Sequence, residues 1–337
     1  QGKSIQVNAL VSADLAPAML VSWRDLQDLD IVPGAFPARM GKACSAASKE
    51  SASQPGEDAF ARLRRKMIEE FPAVLRDEVG DATLAGGPMT IYIDDAKAEK
   101  RKPLHVSTTR PTPIHMKEEA KKLLDEYLAS GIIEPVPDNE PTEWCSRAHF
   151  VPKPDGRVRL VVDLRELNAV VRRPVHPFPS TRDILRSLDP TSKVFAKVDA
   201  VAGYHQVMLH EESRHYTTFL LESGRYRFCC APMGLSSSGD EFCHRTDQAF
   251  NGVPGTMKIV DDGITGAKTI EELERRLTTL FMRCQQYGVV LSLRKFKIGD
   301  SLKFAGHVIS SAGVKPDPDK VAALAEYAPP TNVSELR

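Results

Sequence analysis

The clearest pattern of apolar and polar positions lies between residues 115 and 131. One face of this segment carries apolar residues at helical spacing, namely Met116, Ala120, Leu123, Leu124, Tyr127 and Leu128. Gly131 follows as a stop signal. The pattern therefore predicts an amphipathic helix. Further helical patterns cover residues 60–75, 180–188, 236–250 and 269–287, and Ser236 or Ser237 is the expected N-cap of the third of these.

Short apolar runs between polar turns predict strands. The segments "AHFVPK" and "VRLVVDL" flank the turn "PDG" at residues 154–156, which predicts a hairpin. Other strand-like runs are "MTIYI", "KVFAKVDA", "YTTFLL", "RYRFCCA" and "TMKIV". Because strands and helices alternate without a regular βαβ order, the pattern favours an α+β fold with a largely antiparallel sheet.

The N-terminal part of the chain has a different character. Residues 18–37 predict a short helix around residues 21–29, closed by the turn at Pro33 and Gly34. Residues 41–58 are rich in Ser, Ala, Lys and Gly and have no apolar period, which is typical of a flexible linker. We therefore expect residues 1–40 to form a separate unit.

Composition excludes several classes of protein. The 337 residues include 45 Lys and Arg and 45 Asp and Glu, so net charge does not indicate a nucleic-acid partner. Without an apolar run of membrane-spanning length, no membrane partner is expected. The six cysteines lack zinc-site spacing, which favours reduced thiols and an intracellular location, cytoplasmic or nuclear. The start lacks a Met and a secretory signal, so we regard the chain as a piece of a longer protein.

Two adjacent carboxylates, Asp261 and Asp262, follow an apolar run, and three interpretations compete for them. Asp262 and Gly263 could form the tip of a hairpin, because Asp-Gly is a common turn pair. A phosphate loop is disfavoured, because the following glycines lack the required spacing before Lys268. A Mg²⁺ site needs a second strand that supplies a carboxylate, and Asp199 at the end of "KVFAKVDA" is the candidate.

The pair Asp94 and Asp95 serves as an internal comparison. It lies beside the polar segment "AKAEKRK" and has no apolar segment on its C-terminal side. A solvated surface turn is the interpretation we favour for it.

Six segments in order carry a resemblance to a known family. They are "RLVVDLRELN", "HPFPSTRDILRSL", "FAKVDAVAGYHQV", "TTFLLESGRYRFCCAPMGLSSS", "IVDD" and "FAGHVISSAGV". This series, within residues 100–337, resembles the reverse transcriptase of gypsy-class long-terminal-repeat retrotransposons. Residues 18–37 resemble the region that follows the aspartic protease in such polyproteins, although the chain has no Asp-Thr-Gly or Asp-Ser-Gly.

The resemblance implies a right-hand polymerase fold with an antiparallel palm sheet. Residues 1–40 would be the remnant that follows the protease domain, and 41–58 the linker. Residues 59–112 would lead into the fingers, 113–314 would form the interleaved fingers and palm, and 315–337 the start of a truncated thumb. No ribonuclease H module is expected within these residues.

The resemblance also implies roles for particular residues. Asp199 and Asp261 would bind two Mg²⁺ ions, for which Mn²⁺ can substitute, and Asp262 would complete the catalytic acidic cluster. Residues implied in nucleotide binding are Lys153, Arg159, Tyr204 and Met233. Of these, Tyr204 would exclude a 2′-hydroxyl. Residues implied in positioning the primer are Phe304, Gly306 and His307. Residues 147–173 carry seven Arg and Lys against three Asp and Glu, which is consistent with phosphate contacts.

The implied function is RNA-directed DNA polymerase activity. A primer 3′-hydroxyl would attack the α-phosphate of a deoxynucleoside triphosphate on an RNA or DNA template, with two metal ions. The alternatives are a catalytically inactive nucleic-acid-binding remnant of the same fold and an unrelated Mg²⁺-dependent phosphotransferase.

Departures from the family pattern bear on activity. Ile259 stands where the family usually has Tyr, and Arg294 and Lys295 stand where a Lys-Cys pair is usual. The glycine-rich "GITG" after Asp262 is expected to loosen the second strand of the hairpin. We therefore expect activity to be weaker than is typical of the family.

Overall fold

A computed structural model describes residues 58–80, 82–101, 103 and 105–325. The chain divides into two compact units, and the larger is Glu57–Val314. Of the other unit, the described part comprises the end of the last strand and one helix within residues 315–325. The predicted helix at residues 21–29, the unit 1–40 and the linker up to residue 57 lie outside the described residues.

Helices occupy the segments that the periodic patterns indicate. The segment predicted at 115–131 begins with a 3₁₀ turn at Ile114–Met116 and continues as an α-helix to Ala129. The described α-helices are α1 (Ala59–Glu70), α2 (Asp95–Ala98), α3 (Lys117–Ala129), α4 (Arg165–Val170), α5 (Thr181–Arg186), α6 (Glu211–Arg214), α7 (Ser236–Phe250), α8 (Ile270–Tyr287) and α9 (Pro318–Ala325).

The strands of the described residues form three sheets. They are β1 (Ile133–Pro135), β2 (Ser146–Pro152), β3 (Val158–Val162), β4 (Val194–Asp199), β5 (Phe219–Leu221), β6 (Gly224–Phe228), β7 (Thr256–Ile259), β8 (Asp262–Ala267), β9 (Lys297–Gly299), β10 (Ser301–Phe304), β11 (His307–Ser310) and β12 (Gly313–Pro316). The sheet orders are β1-β6-β5-β2-β3, β7-β8-β4-β9 and β10-β11-β12. The predicted α+β class with largely antiparallel pairing is confirmed, and the β2–β5 contact is a parallel exception.

The four-stranded sheet is buried on both faces near its centre. On one face, Val194, Ala196 and Val198 of β4 belong to the main core together with the buried face of α8. On the other face, Phe195 and Ile264 belong to a second core with α5 and β10–β11. Burial on both faces explains why these strands read as apolar runs rather than as an alternation of apolar and polar residues.

The glycine-rich segment after Asp262 does not loosen the hairpin. It forms β8, which pairs with β4 from Asp262 to Ala267 and with β7 on its other side. A Cβ on Gly263 would lie 2.6 Å from Cε1 of Phe250 and 2.8 Å from Cγ2 of Val198. The absence of a side chain therefore lets α7 pack directly on the sheet, which stabilises the strand that the sequence analysis expected to be weak.

Three local predictions are wrong. The segment "MTIYI" is not a strand, and only Met89 and Ile93 form isolated bridges. Asp94 and Asp95 lie at the start of the four-residue helix α2 rather than in a turn, although Asp95 is exposed as predicted.

The third concerns the start of α7, where neither serine is the N-cap. Leu235 occupies that position without a side-chain cap. Instead, Oδ1 of Asn168 accepts a hydrogen bond from the Ser236 backbone N–H at 2.8 Å. A residue distant in sequence thus satisfies a helix-terminal donor, which a search for local capping residues cannot detect.

A methyl group at residue 263 tests the close approach of α7. We expect Gly263→Ala to lower the free energy of unfolding by about 1–3 kcal/mol, because the added Cβ overpacks the contact with Phe250 and Val198. Urea unfolding measures this change. Gly299→Ala is the matched control, since its Cβ would meet no atom closer than 3.5 Å. Equal effects of the two substitutions would contradict the packing argument.

Candidate active site

Three carboxylates meet where β4 ends and β8 begins. Asp199 is the last residue of β4 and lies directly opposite Asp262, the first residue of β8. Side chains of directly opposed residues in an antiparallel pair share one face and lie close together. Asp261 precedes Asp262 in the turn, and its carbonyl accepts a hydrogen bond from the Ala200 N–H at 2.9 Å. Backbone pairing therefore brings all three predicted acidic residues into one cluster.

The tip of the hairpin lies two residues before its predicted position at Asp262 and Gly263. Ile259 pairs with Asp262, so the tip is Val260 and Asp261, and Gly263 lies inside the strand. Val260 has φ of +53°. A β-branched residue rarely adopts this left-handed conformation, which costs of the order of 1–3 kcal/mol. The turn that carries Asp261 is therefore held by its surroundings.

Asp199 occupies an unfavourable environment for a negative charge. It is 6% exposed. Burial raises the pKa of its carboxyl above the usual range, and the neighbouring Asp262 and Asp261 raise it further. Lys295 opposes this effect, with Nζ 2.6 Å from Oδ1 of Asp199. The net direction is a raised pKa, so the fold itself disfavours the charge that a metal would require.

Asp262 and Asp261 differ in their surroundings. Oδ1 of Asp262 is buried and accepts no hydrogen bond from the described residues, although Nζ of Lys197 lies 3.0 Å away. Asp261, at the tip of the turn, is exposed. The cluster thus contains the buried carboxylate of Asp199, the half-buried carboxylate of Asp262 and the exposed carboxylate of Asp261.

The donor set fits a hard divalent cation that also binds substrate oxygens. The described residues contain no group of three or more His, Cys, Asp or Glu side chains able to enclose an ion by themselves. Mg²⁺ commonly takes only one or two protein carboxylates and completes its shell with water and phosphate. Burial and, to a smaller extent, the neighbouring aspartates raise the pKa of Asp199, and Oδ1 of Asp262 accepts no hydrogen bond from the described residues. A cation would relieve both.

Tyr204 lies beside the acidic cluster. It belongs to the 3₁₀ turn Gly203–Gln206, and its ring packs edge-on against Phe242 of α7 with centroids 5.5 Å apart. Burial raises the pKa of its hydroxyl, and the charge of Asp261 adds to this effect. The structure therefore brings Tyr204 to the same end of β4 as the carboxylates.

The predicted nucleotide-binding cations lie on a different sheet. Arg159 is in β3 and Lys153 follows β2, so the β2–β3 hairpin carries both. Burial and the charges of Arg157 and Arg159 lower the pKa of Lys153, whereas Asp155 is paired with Arg157 at 2.6 Å. Neither Lys153 nor Arg159 has an ion-pair partner among the described residues.

Met233 adjoins this hairpin. It is exposed and lines a small cavity together with Arg159, Tyr127 and His205. Three of the four predicted nucleotide-binding residues thus lie around the β2–β3 hairpin, and Tyr204 lies with the aspartates.

The predicted primer-positioning residues occupy the β10–β11 hairpin. Phe304 pairs with His307, and Gly306 lies in the turn between them. Phe304 is buried in the second core with Phe195 and Ile264, so its side chain anchors the hairpin. Nδ1 of His307 lies 3.1 Å from the carbonyl oxygen of Ala305 within the same turn.

Sequence reasoning missed the lysines around the cluster. Lys197 is two residues before Asp199 on the same strand, so strand alternation places both side chains on one face. That signal was present in "VFAKVD". Lys295 carries no such signal, because it lies 96 residues from Asp199 in the chain, and Lys258 pairs with Asp247 of a different element, α7.

Comparisons with known proteins agree with this architecture. Residues 151–309 match the family described as reverse transcriptase (RNA-dependent DNA polymerase). The chain is 28% identical over 287 residues to the retrovirus-related Pol polyprotein from transposon opus of Drosophila melanogaster, covering 83% of this chain and 28% of that protein. With the Pol polyprotein from transposon gypsy of the same organism, identity is 30% over 236 residues, covering 68% and 23%. The chain thus spans less than a third of the length of these relatives.

Solved structures show the same fold. A foamy viral protease-reverse transcriptase in complex with double-stranded DNA superposes with a TM-score of 0.70 at 18% identity, covering 85% of this chain and 53% of that one. The foamy viral protein in complex with an RNA/DNA hybrid gives a TM-score of 0.70 at 19% identity, covering 86% and 40%. No described helix of this chain has the length and apolar content needed to cross a membrane.

The buried His205 next to Tyr204 predicts a pH dependence of stability. Its ring is 7% exposed and packs edge-on against Tyr127. Burial lowers the pKa of His205 from 6.5 to about 4. Below pH 6.5 the unfolded chain binds a proton that the folded chain does not, so stability present above pH 6.5 is lost as the pH falls toward 4. The loss amounts to about 3 kcal/mol.

We expect His205→Gln to flatten this part of the stability profile, measured by urea unfolding between pH 4 and 8. His210→Gln, at an exposed residue, is the control and should keep the wild-type slope. A wild-type slope in His205→Gln would show that another group is responsible.

Proposed function

We propose that this chain, whose residues 151–309 match the reverse transcriptase family, supplies the fingers and palm of an RNA-directed DNA polymerase from a retrotransposon polyprotein. The observation that carries the proposal is the pairing of β4 with β8, which gathers Asp199, Asp261 and Asp262 beside Tyr204. The reaction would be transfer of a nucleotide to a primer 3′-hydroxyl.

Nucleic acid and deoxynucleoside triphosphates are the proposed substrates. The foamy viral proteins of the same fold bind double-stranded DNA and an RNA/DNA hybrid. We extend this to an RNA or DNA template with a primer for the present chain. The surplus of Arg and Lys between residues 147 and 173 supports the extension, because phosphate contacts provide most of the non-specific affinity.

Asp199 and Asp261 would hold two Mg²⁺ or Mn²⁺ ions. When bound, such ions lower the pKa of the attacking hydroxyl and neutralise charge on the phosphates. Asp199 contributes a carboxylate held rigidly at a strand end, and Asp261 contributes one that is exposed to an incoming substrate. Asp262 adds negative charge that favours cation binding, while Lys197 limits the repulsion within the cluster.

Other residues of the chain would bind and orient the nucleotide. Lys153 and Arg159, which have no carboxylate partner among the described residues, would contact the triphosphate with Met233 beside them. Tyr204, supported by Phe242, would lie against the sugar and leave no space for a 2′-hydroxyl.

A catalytically inactive nucleic-acid-binding remnant is the second candidate. Ile259 favours it, because the family's Tyr at this place is replaced by an aliphatic side chain that packs against the second core. Such a protein would bind a primer-template and add no nucleotide.

Removing the charge of Asp261 separates the two candidates. We expect Asp261→Asn to lower the primer-extension rate with Mg²⁺ by at least about a hundredfold, because the exposed carboxylate no longer binds a cation. Asp95→Asn, which changes an exposed aspartate of the other Asp-Asp pair, should extend the primer at the wild-type rate.

Binding of the primer-template should be unchanged in both variants, as measured by fluorescence anisotropy. Wild-type protein that binds the duplex and adds no nucleotide would establish the inactive candidate. Equal extension by wild type and Asp261→Asn would refute the proposed role of the cluster.

Shortening Tyr204 tests sugar discrimination. We expect Tyr204→Val to lower the preference for deoxynucleotides over ribonucleotides by about 10- to 100-fold in kcat/KM, because the space beside Phe242 admits a 2′-hydroxyl. Single-nucleotide incorporation with each substrate measures the ratio. Tyr92→Val is the control, because Tyr92 is 63% exposed, and it should keep the wild-type preference. A higher deoxynucleotide preference in Tyr204→Val would overturn the assignment.

A further inference from the structure

A lysine is buried on the core side of the sheet that carries the acidic cluster. Lys258 of β7 lies opposite Gly263 of β8, so both point toward α7. Its side chain is 7% exposed, which is rare for lysine and demands a partner for the charge.

The partner is Asp247 of α7. Nζ of Lys258 lies 2.9 Å from Oδ1 of Asp247, and Nε2 of His176 lies 2.7 Å from Oδ2 of the same carboxylate. The ammonium also lies over the ring of Phe242, 5.9 Å from its centroid. Asp247 thereby fixes the ammonium between α7 and the sheet.

The third contact of this ammonium is with the turn itself. Nζ of Lys258 donates a hydrogen bond to the carbonyl of Val260 at 3.3 Å. Val260 is the turn residue with φ of +53°, directly before Asp261. A strained conformation persists only where its surroundings hold it, and this bond is one such restraint from inside the core.

Resting on the polymerase function proposed above, we propose that Lys258 is a positioning residue for Asp261. Held by Asp247, its ammonium fixes the Val260 carbonyl and so the direction in which the turn presents the Asp261 side chain. In this chain Ile259 is the last residue of β7, directly before the turn. Part of the support for the turn that carries Asp261 comes from the buried ammonium of Lys258, on the face of the sheet that packs against α7.

A purely structural role is the competing explanation. The Lys258–Asp247 pair would then only join α7 to β7, and an apolar pair of similar volume would replace it without loss, as is often found for buried ion pairs. The two explanations differ in what happens to the turn once stability has been restored.

The double variant Lys258→Met/Asp247→Leu makes this distinction. It removes both charges and the donor to Val260. The ring of His176 loses its bond to Asp247, but its side chain is 18% exposed and can reach water. We expect a melting temperature close to that of the wild type and amide hydrogen exchange of residues 259–262 at least about tenfold faster. We also expect kcat for nucleotide addition to fall about 10- to 100-fold with KM unchanged, because small misplacement of a catalytic group has effects of this size.

Lys66→Met/Glu274→Leu is the matched control. It removes an ion pair of 2.6 Å between α1 and α8, and it should leave exchange in the turn and kcat as in the wild type. Slow, wild-type exchange in the turn of the Lys258/Asp247 variant, with wild-type kcat, would overturn the proposal.

A second variant and a readout without substrate separate a failed fold or a missing polymerase activity from a failure of the proposed role of Lys258. If the apolar variant does not fold, Lys258→Met/Asp247→Asn keeps a polar partner for His176 and still removes the donor to Val260, and the same criteria apply. If wild-type protein adds no nucleotide, the polymerase function fails, and hydrogen exchange, which needs neither metal nor substrate, decides the role of Lys258 by itself.

Discussion

The antiparallel pairing of β4 with β8 is the constraint on which the rest of this site depends. It extends over six residues and ends with Asp199 opposite Asp262. Because side chains along a strand alternate between faces, a slip of one residue would turn Phe195 and Asp199, which share a face, toward the main core and Val194, Ala196 and Val198 away from it. The apolar residues on both faces therefore fix the register, and the register fixes where the carboxylates lie.

Gathering three carboxylates at the edge of a core is electrostatically unfavourable. Burial and the neighbouring aspartates disfavour the charge of Asp199, and two lysines, Lys295 and Lys197, compensate from the surrounding strands and loop. The same electrostatic imbalance favours the proposed binding of cations, because a cation would neutralise negative charge that Lys295 and Lys197 balance only in part. In the proposed function, metal ions bound at the cluster would offset this cost in stability.

Glycine and lysine mark where local rules were overridden by packing. Gly263 looked like part of a turn and a weak strand, but it is the point at which α7 approaches the sheet. Lys258, within the strand-like run "TMKIV", is buried because Asp247 and the Val260 carbonyl supply its partners. In both cases the deciding neighbour belongs to α7, which precedes the hairpin in the chain and makes no local pattern with it.

The sequence by itself determined the α+β class, most helices and strands, and the three aspartates as candidates, because periodicity and the order of segments are local properties. Wrong predictions include those for Gly263, Ser236 and the segment 89–93. Each depends on contacts between residues far apart in the chain, such as Asn168 with the start of α7. Only the tertiary structure decided which lysine side chain faces which carboxylate. The ion pair of Lys295 with Asp199, for example, joins residues 96 positions apart, and neither segment by itself indicates it.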